Sequence, residues 1–329
     1  MLPADVLKVI ALTVNGRTWM KALFIDCNQQ LAPVWRRVLR AGDPPIGVNS
    51  QPFDAAELPR LLDGYDICID DHSYMPSELV MRCAALKHIV FLGTGASSYM
   101  DVAELNGRGI AVHTIKGYGD TAVAEHAIAL MLTASRDIAR MDRLIRAGTW
   151  SPREGVQLTG KTLGIIGLGG IGREVLRIGH GLGMKVIAWN RTKLADQPLV
   201  GLDELLARSD VISLHLALNE QTRGFFGPAQ LGRTKPGFIL VNTARAALVD
   251  EATLLQGLRS GRIRHAALDV FHVEPLRIDH PLASMDNVTL SAHAGFRTLE
   301  ASMTLLRRAI DIVRGIIEAP PLPPQSGER

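Results

Sequence analysis

A glycine-rich turn set between a strand and a helix restricts the fold of this chain more than any other feature. Residues Gly167–Gly172 read GLGGIG. Upstream, Lys161–Ile166 (KTLGII) has the apolar run of a buried strand; downstream, Arg173–Ile178 (REVLRI) opens a helix and Met184–Trp189 (MKVIAW) forms a second strand. Strand, glycine turn, helix and strand together are the context in which this spacing cradles a dinucleotide. Gly167 permits the tight turn, Gly169 lets backbone N–H groups approach a pyrophosphate, and Gly172 lets the helix pack on the strand. The helix N-terminus adds partial positive charge. Gly167, Gly169, Gly170, Ile171 and Gly172 are the expected contacts.

The residues after the second strand bear on which dinucleotide fits. A carboxylate roughly 20 residues beyond the glycines ordinarily accepts hydrogen bonds from the ribose hydroxyls. Here the position holds Asn190, followed by Arg191, Thr192 and Lys193. No carboxylate repels a 2′-phosphate, and a guanidinium beside a hydroxyl can bind one. NADP(H) is therefore the expected cofactor, with NAD(H) possible; a solvated basic turn is the bland alternative.

At 329 residues the chain is long enough for two domains, because single cores rarely grow beyond ~250–300 residues. A net charge of +3 without a Lys/Arg block gives no case for nucleic acid or an anionic membrane. Cys27, Cys68 and Cys83 lack metal-ligand spacing and read as reduced thiols in a cytoplasmic protein. The histidines are too scattered for a metal site. The N-terminus lacks the order of a signal peptide, and no apolar run nears the ~20 residues of a membrane span, so a soluble protein is expected.

The first 120 residues alternate strands and helices. Lys21–Ile25, Asp66–Ile69, His88–Leu92 and Ile110–His113 have strand length, and Pro76–Ala85 has a helix start. Met1–Val14 has strand character, followed by a turn at Asn15–Gly16. Apolar residues at helical spacing predict one long helix over about Asp120–Ala147, ended by Gly148. Further strands are expected at Asp210–Leu216, Gly237–Asn242, Ala266–Val270 and Val288–Ala292, then a helix over about Leu299–Ile317 and a mobile Pro-rich tail from Pro320. The expectation is two Rossmann/flavodoxin-like parallel-sheet α/β domains: 1–119 plus 297–329 for substrate, and 120–296 for the dinucleotide.

Three segments place polar groups at strand ends: Val241–Asp250 (VNTARAALVD), Ala266–Pro275 (AALDVFHVEP) and Leu290–Gly295 (LSAHAG). Ligands of open α/β sheets bind outside the carboxyl ends of the strands, so Arg245, Glu274 and His293 should converge there. Arg245 offers a planar fork for carboxylate and carbonyl oxygens. His293 can exchange a proton near neutrality. Glu274 can orient the imidazole and favour its protonated form.

With these motifs, AVAEHA at Ala122–Ala127 and KTLGIIGLG at Lys161–Gly169, the chain resembles the D-isomer-specific 2-hydroxyacid dehydrogenases over about residues 88–300. The resemblance implies an active site in the interdomain cleft, with Arg245, Glu274 and His293 catalytic. It implies reduction of a small 2-oxo acid to the D-2-hydroxy acid by NADPH, glyoxylate or hydroxypyruvate being candidates, in a homodimer. It places Thr243 and Asp269 near the cofactor, and Thr94 and Gly95 on the substrate carboxylate through their N–H groups. The family's Gly-x-Gly-x-Asp-Asn loop is not kept: Ser97 and Ser98 intervene before Asp101, and Ala246 replaces the Gly after the catalytic Arg. His215 is either a cofactor neighbour or an ordinary strand-end residue; His126 and His272 read as structural. Oxidation of D-3-phosphoglycerate or phosphite, or a dinucleotide-sensing binding protein without turnover, remain open.

Overall fold

The computed structural model describes residues 20–194 and 199–319. The expectations for Met1–Val14, for Asn15–Gly16 and for the tail from Pro320 lie outside them. The chain divides into two compact units, one comprising residues up to Gly119 and from Thr298 onward, the other Asp120–Arg297. The Thr298 hydroxyl caps the C-terminal helix Leu299–Glu318 by accepting from Ala301 N–H at 3.2 Å.

The first unit strings together β1 (Ala22–Phe24), α1 (Leu31–Val38), β2 (Ile46–Val48), α2 (Leu58–Leu61), β3 (Ile67–Asp70), α3 (Ser77–Val80), β4 (His88–Phe91), α4 (Val102–Gly107) and β5 (Ala111–Thr114). Its strands pair in parallel in the order β2-β1-β3-β4-β5. Side chains alternate across the sheet, so each face builds its own core. Phe24 and Ile69 pack with Trp35 and with Leu305, Leu306, Ile310 and Val313 of the C-terminal helix. Ile25, Cys68, Ile89 and Phe91 pack on the other side with Leu58, Leu62 and Leu105. The helix expected over Pro76–Ala85 is a single turn: it stops at Val80, and turns follow to Cys83. All three cysteines are free and buried.

The second unit comprises α5 (Asp120–Arg136), α6 (Ile138–Arg146), β6 (Thr162–Ile166), α7 (Gly170–Gly181), β7 (Lys185–Trp189), α8 (Leu202–Arg208), β8 (Val211–Leu214), α9 (Pro228–Arg233), β9 (Phe238–Asn242), α10 (Glu251–Arg259), β10 (Ile263–Leu268), α11 (Pro281–Ser284) and β11 (Val288–Leu290). Its all-parallel sheet runs β11-β10-β9-β8-β6-β7. The order reverses between β6 and β8, and such a switch point is where open α/β sheets bind ligands. Small residues let α5 approach β6 and α7: Ala124, Ala127 and Ala134 are buried with Leu163, Ile165 and Val175.

The single helix expected over Asp120–Ala147 is two. Asp137 adopts a left-handed backbone (φ 54°), which ends α5 and starts α6 in a new direction. Asp tolerates that conformation better than most residues, and Arg153 reaches its carboxylate at 3.4 Å. No helix among the described residues is long and apolar enough to cross a membrane.

Candidate active site

The glycine turn stands at the carboxyl end of β6, against the end of β8. Gly167 has φ +100°, and a Cβ there would come within 2.7 Å of the His215 backbone. A Cβ on Gly172 would collide with the Gly167 carbonyl oxygen, so α7 begins as close to the strand as backbone allows. Gly169, at the N-cap of α7, is different. It is exposed, its φ of −78° suits any residue, and an added Cβ would meet nothing within 4 Å. No packing within the second unit explains that glycine, whereas an approaching phosphate would. Ile171 follows in the first turn of α7 and is half-buried. Gly170 abuts the Asp120 carboxylate at the start of α5.

The side chain of Asn190 bridges this turn to the chain beyond β7. Its Oδ1 accepts from Leu168 N–H at 3.1 Å, and its Nδ2 donates to the Thr192 carbonyl at 2.8 Å. Asn190 therefore shapes the turn with its amide, a role that motif spacing does not suggest. Arg191 and Thr192 are exposed, and the Arg191 guanidinium bonds to Gln221 Oε1.

Two buried polar atoms lie along the same sheet edge without a hydrogen-bond partner among the described residues: His215 Nδ1 after β8 and Thr243 Oγ1 after β9. His215 Nε2 pairs with Ser213 Oγ at 2.8 Å, and burial pulls the imidazole down to about 4, so the ring is neutral at pH 7. Buried polar groups without partners are rare in folded proteins. Together with the open space over Gly169, they fit a bound dinucleotide.

Arg245 follows β9. Asn242, 1% exposed, braces the loop: its Oδ1 accepts from Ala244 N–H and its Nδ2 donates to the Arg245 carbonyl, both at 3.0 Å. The Arg245 guanidinium donates to the Ala244 carbonyl at 2.7 Å. Glu274, after β10, accepts from Phe271 N–H through Oε1 at 2.9 Å and meets His293 Nδ1 through Oε2 at 2.7 Å. Burial would raise the Glu274 carboxyl. The His293 and Phe271 hydrogen bonds and the charges of His293 and Arg245 outweigh it and hold the group below its ordinary value. Glu274 is thus a carboxylate, and His293 Nδ1 is the ring atom that donates to it. His272 Nε2 pairs with the Val249 carbonyl at 3.2 Å, within the loops that frame this edge.

His293 has φ 51°, a conformation that costs a non-glycine residue roughly 1–2 kcal/mol. Local hydrogen bonds hold it there, and most of them come from Asp269. The backbone carbonyl of Asp269 accepts from His293 N–H at 2.8 Å; its carboxylate accepts from Ala294 and Gly295 N–H, each at 2.9 Å. Asp269 is 1% exposed, and its carboxylate faces the 291–295 segment.

In the first unit, Thr94 is exposed and Gly95 half-buried in the loop that follows β4 at the carboxyl edge of that sheet. Gly95 opens a 3-10 turn over Ala96–Ser98, and Asp101 caps α4 by accepting from Glu104 N–H at 2.9 Å.

The family described as "D-isomer specific 2-hydroxyacid dehydrogenase, NAD binding domain" matches residues 128–295. A hydroxypyruvate reductase of Thermotoga maritima is 36% identical over 281 residues, 83% of this chain and 90% of that one. A D-3-phosphoglycerate dehydrogenase of Archaeoglobus fulgidus is 37% identical over 258 residues, 76% of this chain but 49% of its own, so this chain spans about half of that relative. The crystal structure of a glyoxylate reductase from Paecilomyes thermophila superposes with a TM-score of 0.81 at 31% identity, covering 92% of this chain and 96% of that one. The glycine turn at a switch point, the paired Glu274 and His293, and these likenesses agree: the chain belongs to the D-isomer-specific 2-hydroxyacid dehydrogenase family.

Proposed function

We propose that the protein reduces a small 2-oxo acid to the D-2-hydroxy acid, using NADPH in preference to NADH. The observation that carries this reading is the 2.7 Å contact between His293 Nδ1 and the Glu274 carboxylate, at the same sheet edge as the glycine turn. Residues Gly167–Gly172 would hold the dinucleotide at that turn, and it would supply a hydride to the carbonyl carbon. With Nδ1 donating to Glu274, Nε2 is the atom of His293 that delivers a proton to the carbonyl oxygen. The carbonyl π bond gives way to one C–H and one O–H bond, and water restores the proton to His293. Glu274 fixes the orientation of the imidazole through its contact with Nδ1. Arg245 binds the substrate carboxylate and carbonyl oxygen through its fork.

Arg191, exposed and not faced by any carboxylate in its own Asn190–Lys193 turn, supports recognition of a 2′-phosphate. Hydroxypyruvate and glyoxylate are favoured as substrates because relatives so named align over most of both chains. Ile138, Ile145 and Trp150 expose 49%, 56% and 84% of their surface on and after α6, which supports a homodimer through that face. The test is oxidation of NADPH, and separately NADH, by the purified protein with glyoxylate, hydroxypyruvate, pyruvate, phenylpyruvate and 3-phosphohydroxypyruvate. Turnover with one of these acids, faster with NADPH, is expected. Preference for 3-phosphohydroxypyruvate would move the substrate to the phosphorylated class. Tight dinucleotide binding without turnover on any acid would favour a sensor or an unusual donor such as phosphite.

A further inference from the structure

We propose that His126, on α5, is a positioning residue for His293 and acts through Ser291 and Asp269 without touching the reacting atoms. Three consecutive amides, His293 to Gly295, are all held by Asp269, whose carboxylate is almost without water. The remaining partners of that carboxylate fix its charge and direction. Ser291 Oγ lies 2.6 Å from Oδ1, and His126 Nε2 lies 2.9 Å from Ser291 Oγ and 3.3 Å from Asp269 Oδ1.

The hydrogen inventory settles who donates. Asp269 is held below the ordinary carboxyl range: burial opposes this, but His126, Ser291 and the Ala294 and Gly295 amides outweigh it. Asp269 is therefore an acceptor only, and the one hydroxyl hydrogen of Ser291 goes to it. Ser291 Oγ can then only accept from His126, so His126 Nε2 carries a hydrogen shared between Ser291 and Asp269. Among the described residues hydrogen-bonded to this carboxylate, His126 supplies a basic side chain and the others a hydroxyl or backbone amides. The Gly295 backbone closes against it: a Cβ on Gly295 would lie 3.1 Å from Asp269 Oδ2 and 3.6 Å from His126 Cδ2. Losing the Nε2–H donor would leave a buried charge underbonded and free Ser291 to rotate. The left-handed turn that aims His293 would then loosen.

Two variants separate donor from filler. His126→Phe keeps a ring and removes the N–H; His126→Gln offers an amide N–H at similar reach. Hydrogen exchange of the peptide spanning residues 291–297, read by mass spectrometry, needs no activity. Exchange of the 293–295 amides should rise roughly tenfold in His126→Phe, the scale of one lost charge-assisted hydrogen bond, and return to near wild type in His126→Gln. The activity arm rests on the proposed reduction: kcat should fall about tenfold in His126→Phe and recover in His126→Gln, with dinucleotide Kd unchanged in both. Wild-type exchange in His126→Phe, or equal damage from Phe and Gln, would overturn the inference. If His126→Phe does not fold, Ser291→Ala carries the same test and should show the same loosened amides. A wild-type protein inert toward every acid would refute the proposed function, while the exchange result would still decide the role of His126.

Discussion

Gly169 and Gly172 belong to the same motif, yet the structure gives them separable roles, and alanine at each position should reveal them. At Gly169 the backbone already has dihedrals that alanine adopts, and the methyl would meet no protein atom. Replacing a glycine under those conditions stabilises by about 0.4–1 kcal/mol, through the unfolded state. The methyl would instead occupy the approach to the first-turn amides of α7. Losing two amide–phosphate hydrogen bonds, at ~1.5–3 kcal/mol each, removes about 3–6 kcal/mol of binding, or roughly 10²–10⁴ in Kd. At Gly172 alanine would gain about 1 kcal/mol of helix propensity. That gain is overwhelmed because the methyl would overlap the Gly167 carbonyl oxygen and lie 3.1 Å from its carbon, and backbone cannot rotate away as a side chain can. Overpacking of this kind costs about 1–3 kcal/mol or more, and it also displaces the turn. Thermal unfolding and dinucleotide titration by calorimetry give both readouts. Gly169→Ala should keep or raise Tm and lose affinity; Gly172→Ala should lose both. A Gly169→Ala protein that binds the dinucleotide as wild type would refute the assignment of this turn as the phosphate cradle.

Arg191→Ala should weaken NADPH about tenfold or more and leave NADH nearly unchanged in direct titrations, since it removes a charge-assisted phosphate contact; equal loss for both would reduce Arg191 to a partner of Gln221. Glu274→Gln retains the shape that bonds to His293 and removes the charge, so kcat should fall by about 10–100-fold, the scale of losing an orienting carboxylate; unchanged kcat would show that the charge is idle. In the first unit, Asp70 is fully buried. Burial and the neighbouring Asp26 carboxylate push its pKa well above the ordinary value. Its folded form keeps a proton that the unfolded chain releases above pH ~4, so stability is lost as pH rises toward the folded pKa. Asp70→Asn should therefore gain stability over wild type at pH 8 and much less at pH 4.5 in urea unfolding; an equal gain at both would contradict the protonated Asp70.

What was legible in the sequence was what short-range pattern encodes. The strands of the second unit are continuous apolar runs, because helices cover a parallel sheet on both faces, and those runs end at the glycine turn and at the segments carrying Arg245, Glu274 and His293. Three-residue β2 has no such run: Ile46 and Val48 flank a glycine and follow two prolines. The break at Asp137 was hidden because apolar residues recur at helical spacing on both sides of it, while the left-handed dihedral belongs to one residue. Asn190 and Asn242 were unreadable as braces, since a side-chain amide bonded to a nearby turn leaves no periodic signature. The Asp269 network was hidden for a different reason. It joins α5 to segments after β10 and β11 that are far away in sequence, and only the fold brings His126 to Ser291.

In the proposed reduction of a 2-oxo acid, His293, held by Glu274, gives the proton. The most direct measurement compares wild type with His293→Ala on the best acid of the panel, alongside dinucleotide Kd for each. Turnover lower by ~10²–10⁴ with Kd unchanged is expected, the usual size of general acid–base assistance. Near-normal turnover in His293→Ala would contradict it.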